Sequence, residues 1–176
     1  MRHLRWLLLL LGFGGGTAFG ADELDIAQGT MEAGGSATVY VQSIEGATGF
    51  GVALAPQFGY FVSDMIEVNG AVGLTIVGIE GFTTTAVTLA PGFQAVFPGE
   101  AVRPFVGAAV QFTSFSFEGE SASALGVAVP VGVLLPLSNA VAISLGSSPS
   151  VAANLDGGPA IITVPAGALG VRSFFR

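Results

Sequence analysis

The sequence predicts an all-β fold: an eight-stranded antiparallel up-and-down transmembrane β-barrel, preceded by a signal peptide. Three observations predict it. Bulky apolar residues alternate with small ones, seven turn signals cut the chain into eight alternating segments, and the positions between the bulky residues are small rather than charged. Of 176 residues, 51% are hydrophobic, 27 are glycine and 10% are charged, with a mean hydropathy of +0.75. That composition is too apolar for a disordered chain and too rich in glycine for a helical bundle.

The first element is the leader. Arg2, His3 and Arg5 precede the apolar run Trp6 to Phe13, and small residues follow up to Ala18-Phe19-Gly20. A charged start, a short apolar stretch and a small-residue cleavage site make a secretory signal peptide over 1–20. The run is too short for the roughly 20 residues a spanning helix needs. Residues 21–28 then form a short N-terminal segment, and 29–176 the barrel. Cleavage after Gly20 leaves 156 residues without Cys, Lys, His or Trp, and with three arginines against twelve acids, a formal charge of −9. This inventory excludes a basic nucleic-acid surface, thiol chemistry and a serine nucleophile with a His or Lys base. No spaced Asp-rich loop suggests a metal, and no cofactor or catalytic residue is expected.

The strands follow from period two. From Phe50 to Tyr60 the even positions are mostly large and the odd positions Gly, Ala or Gln; Val87 to Gln94 and Leu125 to Val133 repeat the design. Turn signals stand at Glu45–Gly49, Ser63-Asp64, Gly78–Gly81, Pro98–Glu100, Glu118–Ser121, Ser138-Asn139 and Asn154–Gly158. They delimit strands over 29–44, 50–62, 65–77, 82–97, 101–117, 122–137, 140–153 and 159–175. The odd-numbered turns are the longer set, as outward-facing loops of a bacterial barrel would be. The apolar stretch 124–143 carries Gly126, Pro130, Gly132 and Pro136 among alternating valines, which suits a strand and penalises a helix.

An interior just wide enough for side chains takes the small face, leaving the Val, Leu and Phe face to lipid. Phe50, Phe82, Phe112, Phe115 and Phe117 gather toward one rim, and Phe58, Tyr60, Phe93, Phe97 and Phe175 toward the other, as two aromatic girdles. The lumen phase holds Tyr40, Gln42, Gln57, Gln94 and Gln111, and also Glu32, Glu67, Arg103 and Arg172. Closing the ring brings strand eight beside strand one, so Glu32 is expected near Arg172, within a charge-balanced plug of these four residues. The competing reading is four unrelated solvated charges, and a bulge at Gly34-Gly35 would turn Glu32 outward. The acids at 45, 64, 80, 100, 118, 120 and 156 lie in or beside turns and read as solvated.

Three segments carry a resemblance: Leu54-Ala-Pro-Gln-Phe-Gly-Tyr-Phe-Val-Ser-Asp64, Arg103-Pro-Phe-Val-Gly-Ala108 and Leu169-Gly-Val-Arg-Ser-Phe-Phe175. From Gly29 to Phe175 the chain resembles the outer-membrane β-barrel domain family of Gram-negative bacteria, the small eight-stranded barrels of OmpA/OmpX type. The resemblance implies residence in the outer membrane, contact with its lipid and lipopolysaccharide, and delivery by the β-barrel assembly machinery. In that family a C-terminal aromatic is the assembly signal, which maps onto Phe175 with Phe174 as the alternative; Arg176 after it is a departure. The expected role is structural or envelope-maintaining, without catalysis. A narrow channel or transport barrel for small or apolar solutes is the alternative, and a soluble periplasmic β-sandwich binder the second.

Overall fold

The computed structural model describes residues 23–44, 47–79, 82–117, 120–157, 160–165 and 167–176, with side chains left undescribed at 40–44, 47–48, 79, 82 and 117. The leader, the turn acids Glu45, Glu80 and Glu118, and the side chains of Tyr40 and Gln42 therefore lie outside the described part.

Eight walls form one closed antiparallel ring. They are β1 (Met31–Ile44), β2 (Ala47–Phe61), β3 (Ile66–Ile79), β4 (Phe82–Val96) and β5 (Arg103–Phe117), followed by three walls in two pieces each. These are β6 (Glu120–Ala128 and Val131–Pro136), β7 (Val141–Ser147 and Ser150–Asn154) and β8 (Ile161–Thr163 and Ala168–Phe175). Each wall pairs with the next, and β8 returns to β1 from Met31↔Phe175 to Ala37↔Leu169. Closure removes the sheet edge that a bilayer could not satisfy.

Proline explains two of the three interruptions. Pro130 and Pro149 cannot donate to a ladder, yet pairing resumes beyond them in the same register: β5 meets β6 as Ala109↔Ala128 and then as Val106↔Val131. The third differs. β8 pairs with β7 as Thr163↔Ser150 and then as Ala168↔Gly146, so β8 carries one extra residue across 164–167, a bulge that includes Pro165. At Gly34-Gly35, where a bulge would have turned Glu32 outward, β1 holds one register against both β2 and β8.

The bulky face points outward. Phe50, Val52, Leu54, Phe58 and Tyr60 are exposed, whereas Ala53, Ala55, Gln57 and Gly59 between them are half-buried. Val127 is 61% exposed and Val129 and Val131 stand beside it on the outer wall, so the valines do not form a centre. An apolar belt of this breadth is a surface for hydrocarbon, not water.

Two expectations are corrected. The odd-numbered connections are not the longer set: β1 ends at Ile44 and β2 starts at Ala47, and two-residue gaps likewise separate β3 from β4 and β5 from β6. The even connections, over 62–65, 97–102 and 137–140, are longer than these three, and among the odd ones only the seventh, over 155–160, matches the longest of them. Strands paired to their last residues, as in Ile44↔Ala47 and Phe117↔Glu120, use up the turn signals. Phe115 leaves the girdle, because it pairs directly with inward Ala86 and so shares the lumen phase. Phe50, Phe112, Phe58, Tyr60, Phe93, Phe97 and Phe175 are exposed, and the side chains of Phe82 and Phe117 lie outside the described part.

With an even number of walls, both chain ends meet at one rim. We refer to this rim as the termini end and to the opposite one as the hairpin end.

Candidate functional site in the floor of the barrel

The inward phase at the termini end places the charges. Glu32, Glu67, Arg103 and Arg172 are all buried, each close to the end of its strand. Three of them meet. Arg172 Nη1 donates to Glu32 Oε2 at 3.3 Å, Gln57 Nε2 donates to Glu32 Oε1 at 2.9 Å, and Gln94 Nε2 donates to Glu67 Oε2. The carboxyls of Glu32 and Glu67 are neighbours, and Glu67 Oε1 accepts no hydrogen bond among the described residues.

Missing side chains make the room. Gly34 on β1 stands opposite Gln57 on one side and Arg172 on the other, and a Cβ there would lie 3.2 Å from Arg172 Cγ and closer still to backbone. With hydrogen at that position, both long side chains converge on Glu32 one inward step away. Gly59 acts likewise for Glu67, whose carboxylate occupies the space a Cβ on Gly59 would take.

An apolar layer rims the charges. Phe61, Val96, Phe105, Leu134, Ala142 and Phe174 form a buried cluster. The Arg172 guanidinium sits 4.6 Å from the centre of the Phe105 ring, and the rings of Phe61 and Phe174 meet tilted at 6.2 Å. A cation over a ring face and a tilted aromatic pair are both favourable geometries in a desolvated site.

Arg103 stands apart from this trio. Its Nη2 donates to Glu23 Oε1 at 2.9 Å and its Nε to the Gly99 carbonyl at 3.2 Å. Glu23 belongs to the segment before β1, which folds back beneath the barrel and sends Leu24 into the apolar cluster. Asp25 Oδ1 of the same segment accepts from Arg176 Nη2 at 3.2 Å. Sequence reading missed Glu23, Leu24 and Asp25, because one leucine between two acids shows no periodicity.

Above the floor the same phase carries Gly73, Thr75, Thr88, Gln111 and Thr113, all half-buried. Thr88 and Thr113, facing each other across β4 and β5, join hydroxyls at 2.9 Å. The bore is thus filled at one end and lined by short side chains at the other. Phe174 points into the floor, while Phe175 is 47% exposed on the outer wall. Among the described residues no cluster of three or more His, Cys, Asp or Glu is arranged to hold a metal ion.

No protein-family model matches the chain, and no curated protein sequence matches it. Solved structures do. Neisserial surface protein A superimposes with a TM-score of 0.59 at 20% identity, covering 85% of this chain and 99% of that one. It has the fold of the small outer-membrane barrels. The outer membrane protein OprG from Pseudomonas aeruginosa gives a TM-score of 0.57 at 16% identity, covering 86% of this chain and 98% of that one. Both cover nearly their whole length, so the eight walls here are the entire architecture those barrels share. Identity this low conveys the fold and leaves the role to the residues of this chain.

Proposed function

We propose that this outer-membrane barrel serves the envelope as a closed structural element, without catalysis and without a conducting bore. The observation that carries the reading is the floor: Glu32, Glu67, Gln94, Leu134 and Phe174 are each at most 4% exposed where an open channel would need water. The residues after Gly20, with no His, Lys or Cys to act as base or nucleophile, support the absence of chemistry. The outer wall supplies the contact with lipid and lipopolysaccharide. Phe175 is the better choice for the aromatic read by the assembly machinery, because it lies on the outer wall while Phe174 is committed to the floor. Phe175→Ala is expected to slow machinery-assisted insertion with little loss of stability, and Phe174→Ala to do the reverse.

Reconstitution in planar bilayers tests the closed bore. Silence under an applied potential is the expected result, and stepwise single-channel currents would replace this reading with that of a narrow passage for small solutes. The half-buried, short-chained upper bore is the feature that favours the second reading.

A further inference from the structure

The segment before β1 takes an unusual path. Gly29 N donates to Phe61 O at 2.9 Å and Phe61 N to Thr30 O at 2.8 Å, which ties its near end to β2. Gln28 N then reaches Asp64 Oδ1 at 2.9 Å in the β2–β3 turn, and Asp25 N reaches Asn139 O at 2.9 Å in the β6–β7 turn. Glu23 ends at Arg103 on β5. In a ring of eight walls β5 is four away from β1 in either direction, so the chain crosses the full mouth of the barrel.

Its attachments are of two kinds. Leu24 is rooted among buried side chains, but the acids of the two ion pairs face water: Glu23 and Asp25 each expose 68% of their side chains, and of their partners Arg176 exposes 51% while Arg103 exposes 7%. Exposed ion pairs are weak and salt-screened. The strand ladders have no such weakness, because each backbone group is held within the closed wall.

We propose that residues 23–30 are a detachable lid over the termini end of the bore, latched to β5 by Glu23–Arg103 and to β8 by Asp25–Arg176, and released as ionic strength rises. Shut, the lid covers the apolar cluster and the Glu32–Arg172 pair; released, it opens that layer to the compartment the termini face. This goes beyond the structural role, since a closed floor is compatible with a fixed or a detachable cover.

The chain contains no cysteine, so Ala142→Cys introduces one thiol into the buried cluster that Leu24 of the lid joins. Its labelling by a charged, membrane-impermeant thiosulfonate is the readout, with the heat-modifiable gel band as the check on folding. Labelling is expected to be slow at low salt and roughly tenfold faster at high salt, as screening of the exposed Asp25–Arg176 pair and of the water-facing Glu23 in its pair with buried Arg103 allows. Adding Glu23→Gln with Asp25→Asn should give the fast rate at low salt and remove the salt response. Adding Leu24→Ser should accelerate labelling roughly tenfold or more at any salt, since the buried anchor is lost. Equal rates in all variants with the folded band intact would overturn the lid.

Hydrogen exchange on the unaltered chain gives a second reading. The amides of Asp25, Gln28 and Gly29 should exchange together, ahead of the strands and faster in salt. Exchange at strand rates, indifferent to salt, would overturn the proposal equally.

Discussion

At the termini end the inward positions carry Glu32, Gln57, Glu67, Gln94, Phe105 and Arg172, long side chains that fill the bore and satisfy one another. At the hairpin end the same phase of the same strands carries Gly73, Thr75, Thr88 and Thr113, which line the bore without closing it. One alternation rule therefore produces a floor and a cup. The difference is side-chain length alone, because eight walls fix the diameter whatever lines them. A second difference is charge. The arginines Arg103, Arg172 and Arg176 are all at the termini end, so every ion pair between described residues forms there.

The sharpest way to break the comparison is to unbalance the floor. Glu32→Ala strands the buried Arg172 guanidinium and should reduce stability by about 3–5 kcal/mol, seen as a lower urea midpoint for loss of the β circular-dichroism signal. Glu67→Gln keeps the shape and should have a far smaller effect. Equal losses from the two would show that the Glu32–Arg172 pair is not the keystone of the floor.

A charge on the outer wall tests which face meets lipid. Val127→Arg, midway along β6, should lower refolding stability in lipid by about 2–4 kcal/mol. If Val127→Arg is neutral in bilayers, the outward assignment of the bulky face fails.

The hairpin end should be more forgiving. Thr88→Val breaks the hydroxyl pair with Thr113 across a half-buried bore and should shift stability by about 1 kcal/mol. Smaller still is Asp156→Ala in the β7–β8 connection. It removes an exposed acceptor, which takes the Ser123 amide at 2.7 Å, and should change the stability read from urea unfolding by about 0.5 kcal/mol or less. Losses at Thr88 as large as those at Glu32 would mean that the cup is packed as tightly as the floor.

Much of the wall was legible in the sequence. The alternation around Phe50 to Tyr60 and Leu125 to Val133 set the two faces, and the turn signals placed strand ends within a few residues of those observed. The lumen phase of Glu32, Glu67, Arg103 and Arg172 was legible for the same reason, since side chains two apart share a face. Phe115 shows the limit of reasoning by position: its nearness to a rim suggested a girdle, but its phase, shared with Arg103, puts it inside.

The pairing of those charges was less legible. Gly34 and Gly59 look like ordinary small lumen residues until the register sets Gly34 opposite Arg172 and pairs Glu67 with Phe61, one inward step from Gly59, so that Glu67 uses the space over it. The partner of Arg103 was not legible, because Glu23 is 80 residues away and joins it only after the chain has crossed the barrel mouth.

The sequence by itself determined that this chain closes into an eight-walled barrel with a greasy exterior, because period-two patterning and turn chemistry are local and a strand's two faces are fixed residue by residue. Only the tertiary structure decided that one end is sealed, that Arg103 leaves the other three charges to pair with Glu23, and that residues 23–30 span the opening. Those outcomes depend on which distant side chains share a confined volume, and closing the ring brings them together.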